Sequence, residues 1–441
     1  MPQTPFPMAT TQKPTGEPKE RERRRLMKGA FVSYLSLNWF VLLLGGWLFF
    51  LQPPAWAEAM CVDPAGGSGV YTSLQDALDD AEANGEDDTI QVVQGVYNGN
   101  FRYLSAEGDS LTLEGGYTSA CACRAVDPSN TVLNGDGATN VLFVEDSKGA
   151  DIVVDGFNVK NGGGVLAGGG IYVRSLSGSE AAGDIRISNN NVAGNSVERL
   201  GGGILAVSSS SSGLSGDATL ANNMVTGNRT EESNGGGVYV EIKSCGGDAG
   251  TITFVNNTVS GNEALQGSGG GVYLYLYGTG ASGAIRCYNN IIRGNKADSG
   301  SNDIGFLKRY EDNAYGYNNN YHEMADRYSW TEEGANIDAD SRFIKPGCWD
   351  DDGTPLDPFD DVWIEGDYHL RPDSPCIDAG ILDKKGIDYD YNFVPQEDFE
   401  GDSRVDAWIE VTPDNFYRYC DIGADEFTAS AMPWMPLLLL D

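Results

Sequence analysis

Basic residues are scarce in this 441-residue sequence, which has 29 Lys and Arg against 64 Asp and Glu and only two His. The net charge of −35 would repel nucleic acids and anionic membranes, so we expect no nucleic-acid partner. Proline is also scarce, with 18 residues against 58 glycines. Because the glycines follow no Gly-X-Y period, a collagen-like chain is excluded and dense turns are indicated instead.

Long apolar runs are almost absent, and the main one lies near the start of the chain. A basic cluster that ends at Lys28 precedes the uncharged segment Leu35–Leu51. Ala55 and Ala57 then form the small-x-small pattern that a signal peptidase requires. We therefore predict a signal peptide at 1–57 and an exported protein, extracellular or on the outer cell surface. An uncleaved membrane anchor is the alternative, because the apolar run nearly spans a bilayer.

All eight cysteines follow the predicted cleavage point, which is consistent with an oxidising compartment. The segment Cys121-Ala122-Cys123 lacks the spacing and the nearby histidines of a zinc site. We therefore expect disulfides rather than a metal cluster. Eight cysteines allow many pairings, and their spacing selects none.

Two short motifs, a glycine triplet and an asparagine pair, serve as markers and recur together in four copies of 33 or 34 residues. Between the markers apolar residues alternate with a period of two, as at Ile185 and Ile187, which indicates short strands. Three short strands per copy with glycine-rich corners describe one coil of a solenoid, in which equivalent residues lie about 4.8 Å apart. The markers are glycine triplets that begin at Gly168, Gly201, Gly235 and Gly269, and asparagine pairs that begin at Asn189, Asn222, Asn256 and Asn289.

The stacking of these coils predicts which residues form the core, which form the turns and which cover one end of the solenoid. Asparagine suits the turns, because it tolerates the left-handed conformation and its amides can bond along the axis. The open end needs a cover, and Ser73 begins a capping-box-like segment that predicts a short N-terminal capping helix. The predicted inward column contains Ile185, Ala218, Ile252 and Ile285; the predicted buried helix face contains Leu74, Ala77, Leu78 and Ala81.

The combination Gly-Gly-Gly-Ile/Val with Asn-Asn-x-x-x-Gly-Asn resembles repeats of the pectin-lyase-like superfamily. The segments Gly366–Leu370, Ser374–Gly380 and Asp421–Phe427 resemble the choice-of-anchor Q domain of exported bacterial β-helix proteins. The resemblance implies an all-β, right-handed parallel β-helix and attachment to a cell surface. The predicted organisation is a signal peptide at 1–57, a capped β-helix at 58–325, a choice-of-anchor Q-like region at 326–427 and an apolar tail at 428–441.

Most catalytic motifs of the superfamily are missing. Its glycosidases typically show Asn-Thr-Asp, Asp-Asp, Gly-His-Gly and Arg-Ile-Lys elements, and of these the sequence contains only Asp-Asp, which is weak evidence in so acidic a protein. A lyase needs a base and usually Ca²⁺ held by clustered acids. Arg186 and Arg286 occupy the same position three copies apart, too distant for one site. We therefore assign no catalytic residue.

One acidic cluster has the density of a calcium loop, although it lacks the spacing of an EF-hand. Its candidate Ca²⁺ ligands are Asp350, Asp351 and Asp352, which precede Gly353. The alternative is an acidic surface insertion that binds no metal. No other cofactor is expected.

A row of tyrosines is the candidate ligand-binding surface. If Ile171 and Val173 point inward, alternation along the strands turns the intervening side chains outward. Tyrosines in a row on an elongated sheet can stack on sugar faces, whereas the alternative is an aromatic ladder that only stabilises the sheet. The outward candidates are Tyr172, Tyr239, Tyr273 and Tyr275, with Tyr277 continuing the last strand.

These features favour a monomeric β-helix that binds an extracellular polysaccharide or another cell-envelope component without catalysis. The alternatives are a Ca²⁺-dependent polysaccharide lyase and a structural surface protein or adhesin. Contact with a membrane is expected only through the N-terminal signal or a C-terminal anchor.

Overall fold

The computed structural model describes residues 59–164, 166–280, 283–309, 312–324, 329–354, 361–384, 394–404, 409–412 and 415–427. The predicted signal peptide at 1–57 and apolar tail at 428–441 lie outside these residues. Within the described ranges, no helix combines the length and the apolar character that a membrane span requires.

The coils of the solenoid form three long parallel sheets, named A, B and C in the order in which the chain crosses them. Four of the coils also contribute a strand to a short sheet D, between B and C. Sheet A contains Met60–Val62, Asp88–Val93, Leu111–Tyr117, Ile152–Asp155, Ile185–Ser188, Ala218–Ala221, Ile252–Val255, Ala284–Tyr288, Asn313–Tyr317 and Glu332–Gly334. Sheet B contains Gly95–Asn98, Thr131–Asn134, Asn158–Lys160, Asn191–Ala193, Met224–Thr226, Thr258–Ser260, Ile291–Ile292 and Asn320–Tyr321.

The remaining strands of the solenoid form the two other sheets. Sheet C contains Phe101–Ser105, Leu142–Asp146, Ile171–Ser177, Ile204–Ser210, Val238–Ser244, Val272–Gly278 and Ile304–Leu307. Sheet D contains Ser196–Val197, Arg229–Thr230, Glu263–Ala264 and Lys296–Ala297. The predicted fold class, an all-β right-handed parallel β-helix, is confirmed.

The predicted inward column is present in register. Ile185 pairs with Ala218, Ala218 with Ile252, and Ile252 with Ile285, all in parallel strands of sheet A. All four side chains are buried. Stacking therefore creates an apolar core that no single coil could bury by itself.

Asparagine builds the turn between sheets A and B, as the repeat predicts. The first Asn of each pair takes a left-handed φ of 51–55°, at Asn189, Asn222, Asn256, Asn289 and Asn318. The second Asn points into the solenoid and its amide bonds to the next copy at 2.9–3.1 Å, along Asn190, Asn223, Asn257, Asn290, Asn319 and Asn336. The Gly-Asn turns form a second ladder through Asn195, Asn228, Asn262 and Asn295.

The predicted cap closes the N-terminal end. Helix α1, Leu74–Ala83, begins after Ser73, whose Oγ accepts the Asp76 N–H at 3.3 Å. The predicted apolar face of α1 is the buried one. A disulfide joins Cys61 in the first strand to Cys121 in the 3-10 helix Ser119–Cys121. A second 3-10 helix covers Pro128–Asn130. The other six cysteines are free thiols.

A C-terminal strap, comprising the described residues between 341 and 427, lies against the solenoid. Its strands pair antiparallel: Phe343–Lys345 with Asp367–Leu370, Cys348–Asp350 with Val362–Ile364, and Asn415–Cys420 with both Gly380–Lys384 and Ile409–Thr412. Four of the five left-handed asparagines donate to strap carbonyls, as Asn222 does to Glu397 at 2.7 Å and Asn318 to Ala379 at 2.8 Å. Asn189 instead donates to the carboxylate of Asp155 in the solenoid. The strap thus satisfies the outward side of the later asparagine turns.

Two tryptophans of the strap pack on the glycine corners between sheets B and D. A Cβ added at Gly227 would come within 1.9 Å of the Trp363 ring, so that ring lies directly on the glycine. Trp349 donates its Nε1–H to the Gly261 carbonyl at 2.9 Å. The Arg229 guanidinium lies 3.8 Å from a Trp349 ring centroid. The absence of side chains at the corners is therefore what lets the strap approach.

Replacing Trp363 by Ala should release the hairpin of Cys348–Asp350 and Val362–Ile364 from the solenoid. We expect the free energy of local opening to fall by about 2–4 kcal/mol, because a large aromatic contact is lost and the glycine surface is exposed. Amide hydrogen exchange over Cys348–Ile364 measures the effect. Ile364→Ala is the control, since Ile364 lies in the same strand and is 41% exposed. Equal exchange in the two variants would contradict the assigned role of Trp363.

Candidate functional site

The outward side of sheet C carries the predicted tyrosines and is named the tyrosine face, defined by Tyr172, Tyr239, Tyr273, Tyr275 and Tyr277. Within their strands the flanking side chains, such as Ile171 and Val173, are fully buried in the solenoid. Successive strands pair Tyr172 with Leu205, Leu205 with Tyr239, and Tyr239 with Tyr273. The alternation thus places all five tyrosines on the same side of one sheet.

The row is interrupted at Leu205, which is 2% exposed. On one side of it, Tyr172 meets the edge of Phe143 with ring centroids 5.0 Å apart. On the other, Tyr239 and Tyr273 stack at 5.5 Å with 7° between their planes. Tyr172 is therefore separated from the other tyrosines rather than continuous with them.

Stacking occupies the ring faces of the central pair. Tyr239 is 7% exposed, and burial raises the pKa of its hydroxyl. A Cβ added at Gly305 would come within 2.6 Å of the Tyr273 ring, so that ring lies between Tyr239 and Gly305. The geometry of these two residues is that of an aromatic ladder, which leaves ring edges and hydroxyls for a ligand.

Tyr275 and Tyr277 are placed differently. They follow Tyr273 in the strand Val272–Gly278 and are half-buried. Their partners in the neighbouring strand are Glu241 and Lys243. In the described part of the chain, neither ring stacks on another aromatic residue. These two rings therefore offer apolar surface next to an acidic and a basic side chain.

Charged groups of the tyrosine face were not predicted as site residues. Arg174 bonds to Glu145 at 2.8 Å and lies 5.8 Å from the Tyr172 ring centroid. Burial raises the pKa of the Glu241 carboxyl, while Lys243 and Arg174 oppose that shift. The sequence could have indicated all these residues, because their side chains alternate outward in the same sheet as the tyrosines.

The predicted Ca²⁺ ligands lie at the end of the strand Cys348–Asp350, which pairs with Val362–Ile364 and carries Trp349. Asp350, Asp351 and Asp352 are exposed. Asp350 Oδ1 accepts the Asp352 N–H at 3.3 Å, and Asp351 Oδ1 accepts the Gly353 N–H at 3.1 Å. These bonds are those of a turn. Residues 355–360 lie outside the described residues, so Ca²⁺ binding here stays a prediction.

A second cluster was not found from the sequence. His369 Nδ1 lies 2.6 Å from Asp367 Oδ1, and His369 Nε2 lies 3.6 Å from Glu400 Oε2. One ligand atom each of His369, Glu400 and Asp425 lies within 4.8 Å of the other two. The Glu400 carboxylate raises the pKa of His369 to about 10, and burial raises the pKa of Asp425 to about 7.

This cluster borders a groove of about 220 Å³ between the strap and sheet B, where Asn191 and Met224 form part of the opposite wall. The three residues come from strap segments that are distant in sequence. Only the tertiary fold brings them together, and no spacing in the chain could have indicated the cluster.

Comparison with known proteins finds no matching family model and no matching curated protein. Among solved structures, the chain is similar to Escherichia coli YbhC, with a TM-score of 0.28 and 15% identity over 66% of this chain and 77% of that one. It is also similar to a pectin methylesterase from Aspergillus niger, with a TM-score of 0.25 and 14% identity over 64% of this chain and 90% of that one. Likeness at these values says nothing about the activity of this chain.

Proposed function

We propose that this chain is an exported β-helix protein that binds an extracellular polysaccharide through the tyrosine face without transforming it. The observation that carries the proposal is the placement of Tyr275 and Tyr277, half-buried and unstacked beside Glu241 and Lys243. Ring surface with adjacent polar groups suits a sugar, whose C–H faces pack on the ring while its hydroxyls form hydrogen bonds.

The remaining tyrosines support these two rings. The stacked rings of Tyr239 and Tyr273 join the two neighbouring strands that carry Glu241 and Tyr275, so we expect little side-chain freedom to be lost when a ligand binds. Sheet C has seven strands in one direction, which gives a long surface for an extended chain. The acidic protein would repel a polyanion over long distances, and this favours a neutral polysaccharide.

Export and surface attachment are parts of the same proposal. The Cys61–Cys121 disulfide is typical of an oxidising compartment, in agreement with the predicted signal peptide. The strap contains the segments that resemble a choice-of-anchor Q domain. We infer from this resemblance that the side of the solenoid covered by the strap is directed towards the cell and that the tyrosine face is available to ligands.

The double substitution Tyr275→Ala with Tyr277→Ala should weaken glycan binding by at least about 30-fold, which corresponds to about 2 kcal/mol for removal of two anchoring rings. An array of neutral glycans and polyuronates identifies the ligand, and calorimetry with it measures the affinity. The matched control is the double Tyr→Phe variant, which keeps both rings and should bind within a few-fold of the parent. Unchanged affinity in the alanine variant would remove the tyrosine face as the site.

Glu241 favours a second candidate function, that of a polysaccharide lyase. Its carboxyl has a raised pKa and lies on the same face as Lys243 and Arg174, as a proton-transferring group would. Incubation with polyuronates, with and without Ca²⁺, would reveal unsaturated products by their absorbance. Product that disappears in Glu241→Gln would establish the lyase. If there is neither product nor binding, a structural surface role remains.

A further inference from the structure

Three strap segments meet at the groove beside sheet B. His369 comes from the strand Asp367–Leu370, Glu400 follows Phe399 in a turn, and Asp425 lies near the end of the strap. We propose that His369, Glu400 and Asp425 bind one divalent transition-metal ion, for which Zn²⁺ is the probe, and that this ion fastens the strap segments to one another. The site is separate from the tyrosine face and does not depend on the proposed function.

The histidine is oriented as a metal ligand should be. Its Nδ1 is 2.6 Å from Asp367 Oδ1, so Nδ1 carries the proton that is donated to this carboxylate. Nε2, on the other side of the ring, points towards Glu400, whose Oε2 is 3.6 Å away, and it can bind a metal ion in exchange for its proton. Two ligands of a tetrahedral Zn²⁺ are about 3.4 Å apart, given bonds of about 2.1 Å. A carboxylate behind the histidine is also a common partner of zinc-bound imidazole.

Asp425 is the buried member of the cluster. Its side chain is 5% exposed, and its carboxylate lies beside the imidazole of His369. The neighbouring buried carboxylates are held by backbone groups: Asp398 accepts the N–H groups of Glu400 and Glu426, and Asp421 accepts those of Asp378 and Phe427. A buried carboxylate is costly unless a positive charge neutralises it, and in this cluster either the protonated imidazole of His369 or a bound metal ion supplies that charge.

The donor set selects the class of metal. One imidazole and two carboxylates suit Zn²⁺ or a neighbouring transition metal, whereas Ca²⁺ and Mg²⁺ prefer oxygen ligands alone. Three protein ligands leave a fourth position for water from the groove of about 220 Å³ that borders His369 and Glu400. Because the ligands connect three segments, bound metal should stabilise the strap.

The test is calorimetric titration of the chelator-treated full chain with ZnCl₂. The exposed thiols of Cys123, Cys245 and Cys348 are first alkylated, so that they do not compete for the metal. We expect one Zn²⁺ per chain, a higher unfolding temperature with Zn²⁺, and weaker binding of Ca²⁺. His369→Ala and Asp425→Asn should each reduce the Zn²⁺ affinity at least about 100-fold, and Asp367→Asn about 10-fold to 100-fold.

His322 supplies the matched control. It is the other histidine, and its Nδ1 also has a carboxylate partner, Asp338 Oδ2 at 3.0 Å. His322→Ala should keep the Zn²⁺ affinity of the parent. Without metal, Asp425→Asn should unfold within a few degrees of the parent, because it removes the desolvation cost of the buried carboxylate together with its attraction to His369. Absence of stoichiometric Zn²⁺ binding, or equal affinity in the parent and Asp425→Asn, would overturn the proposal.

Discussion

Replacing Asn257 by Leu is expected to lower the free energy of unfolding by about 3–5 kcal/mol. Asn257 is fully buried, and its Oδ1 accepts the backbone N–H of Asn223 at 2.9 Å. Its Nδ2 donates to the Leu220 carbonyl at 2.9 Å and to Asn290 Oδ1 at 3.1 Å. Leucine preserves the volume but bonds to none of these groups, and each buried group left without a partner costs about 1–3 kcal/mol.

Guanidinium unfolding followed by circular dichroism measures this loss, and hydrogen exchange locates it. The solenoid is stabilised by contacts between successive coils, so the loss should be greatest in the coils next to Asn257. Thr219→Ala is the control, because Thr219 lies half-buried on the outward side of sheet A and should change stability by less than about 0.5 kcal/mol. A loss below about 1 kcal/mol for Asn257→Leu would mean that the ladder is not a major source of stability.

The ladder is also the feature that the sequence predicts best. An asparagine or an isoleucine that returns every 33 or 34 residues must take the same place in each coil, because parallel stacking repeats one environment. The buried column through Ile185 and the left-handed turns at Asn189 and Asn222 follow from this repetition alone. The capping helix α1 could be predicted as well, since its apolar face and its Ser73 cap are local in sequence.

The candidate sites depend on contacts that do not repeat. Alternation turns Tyr239 outward, but its burial results from particular neighbours, Leu205 and the stacked ring of Tyr273. The strap packs on the solenoid through single residues such as Trp363, which belongs to no repeat. His369 and Asp425 belong to different segments whose meeting requires the complete strap. Periodicity therefore predicts the scaffold, whereas the sites require the tertiary structure.

Arg404 connects the strap to the solenoid, and Arg404→Met should free the end of the strap. Its side chain is fully buried. Nη1 lies 3.0 Å from Glu426 Oε2, and Nη2 donates to Asn222 Oδ1 in the solenoid at 3.2 Å. Removing the guanidinium takes away its charge beside the buried Glu426 carboxylate and its hydrogen bond to Asn222, and breaking a buried ion pair in this way costs about 3–5 kcal/mol. Hydrogen exchange over 394–404 and 419–427 should rise accordingly, while the asparagine ladders stay protected.

Two further variants separate the charge from the packing. Arg371→Met removes an exposed arginine of the same strap, which lies 3.8 Å from Asp373, and should alter stability by less than about 0.5 kcal/mol. Adding Glu426→Gln to Arg404→Met should recover part of the lost protection, because the buried negative charge is then gone. If the double variant exchanges faster than Arg404→Met alone, the faster exchange in Arg404→Met would result from lost packing and not from a charge left beside Glu426. Arg404 would then not be an electrostatic link between the strap and the solenoid.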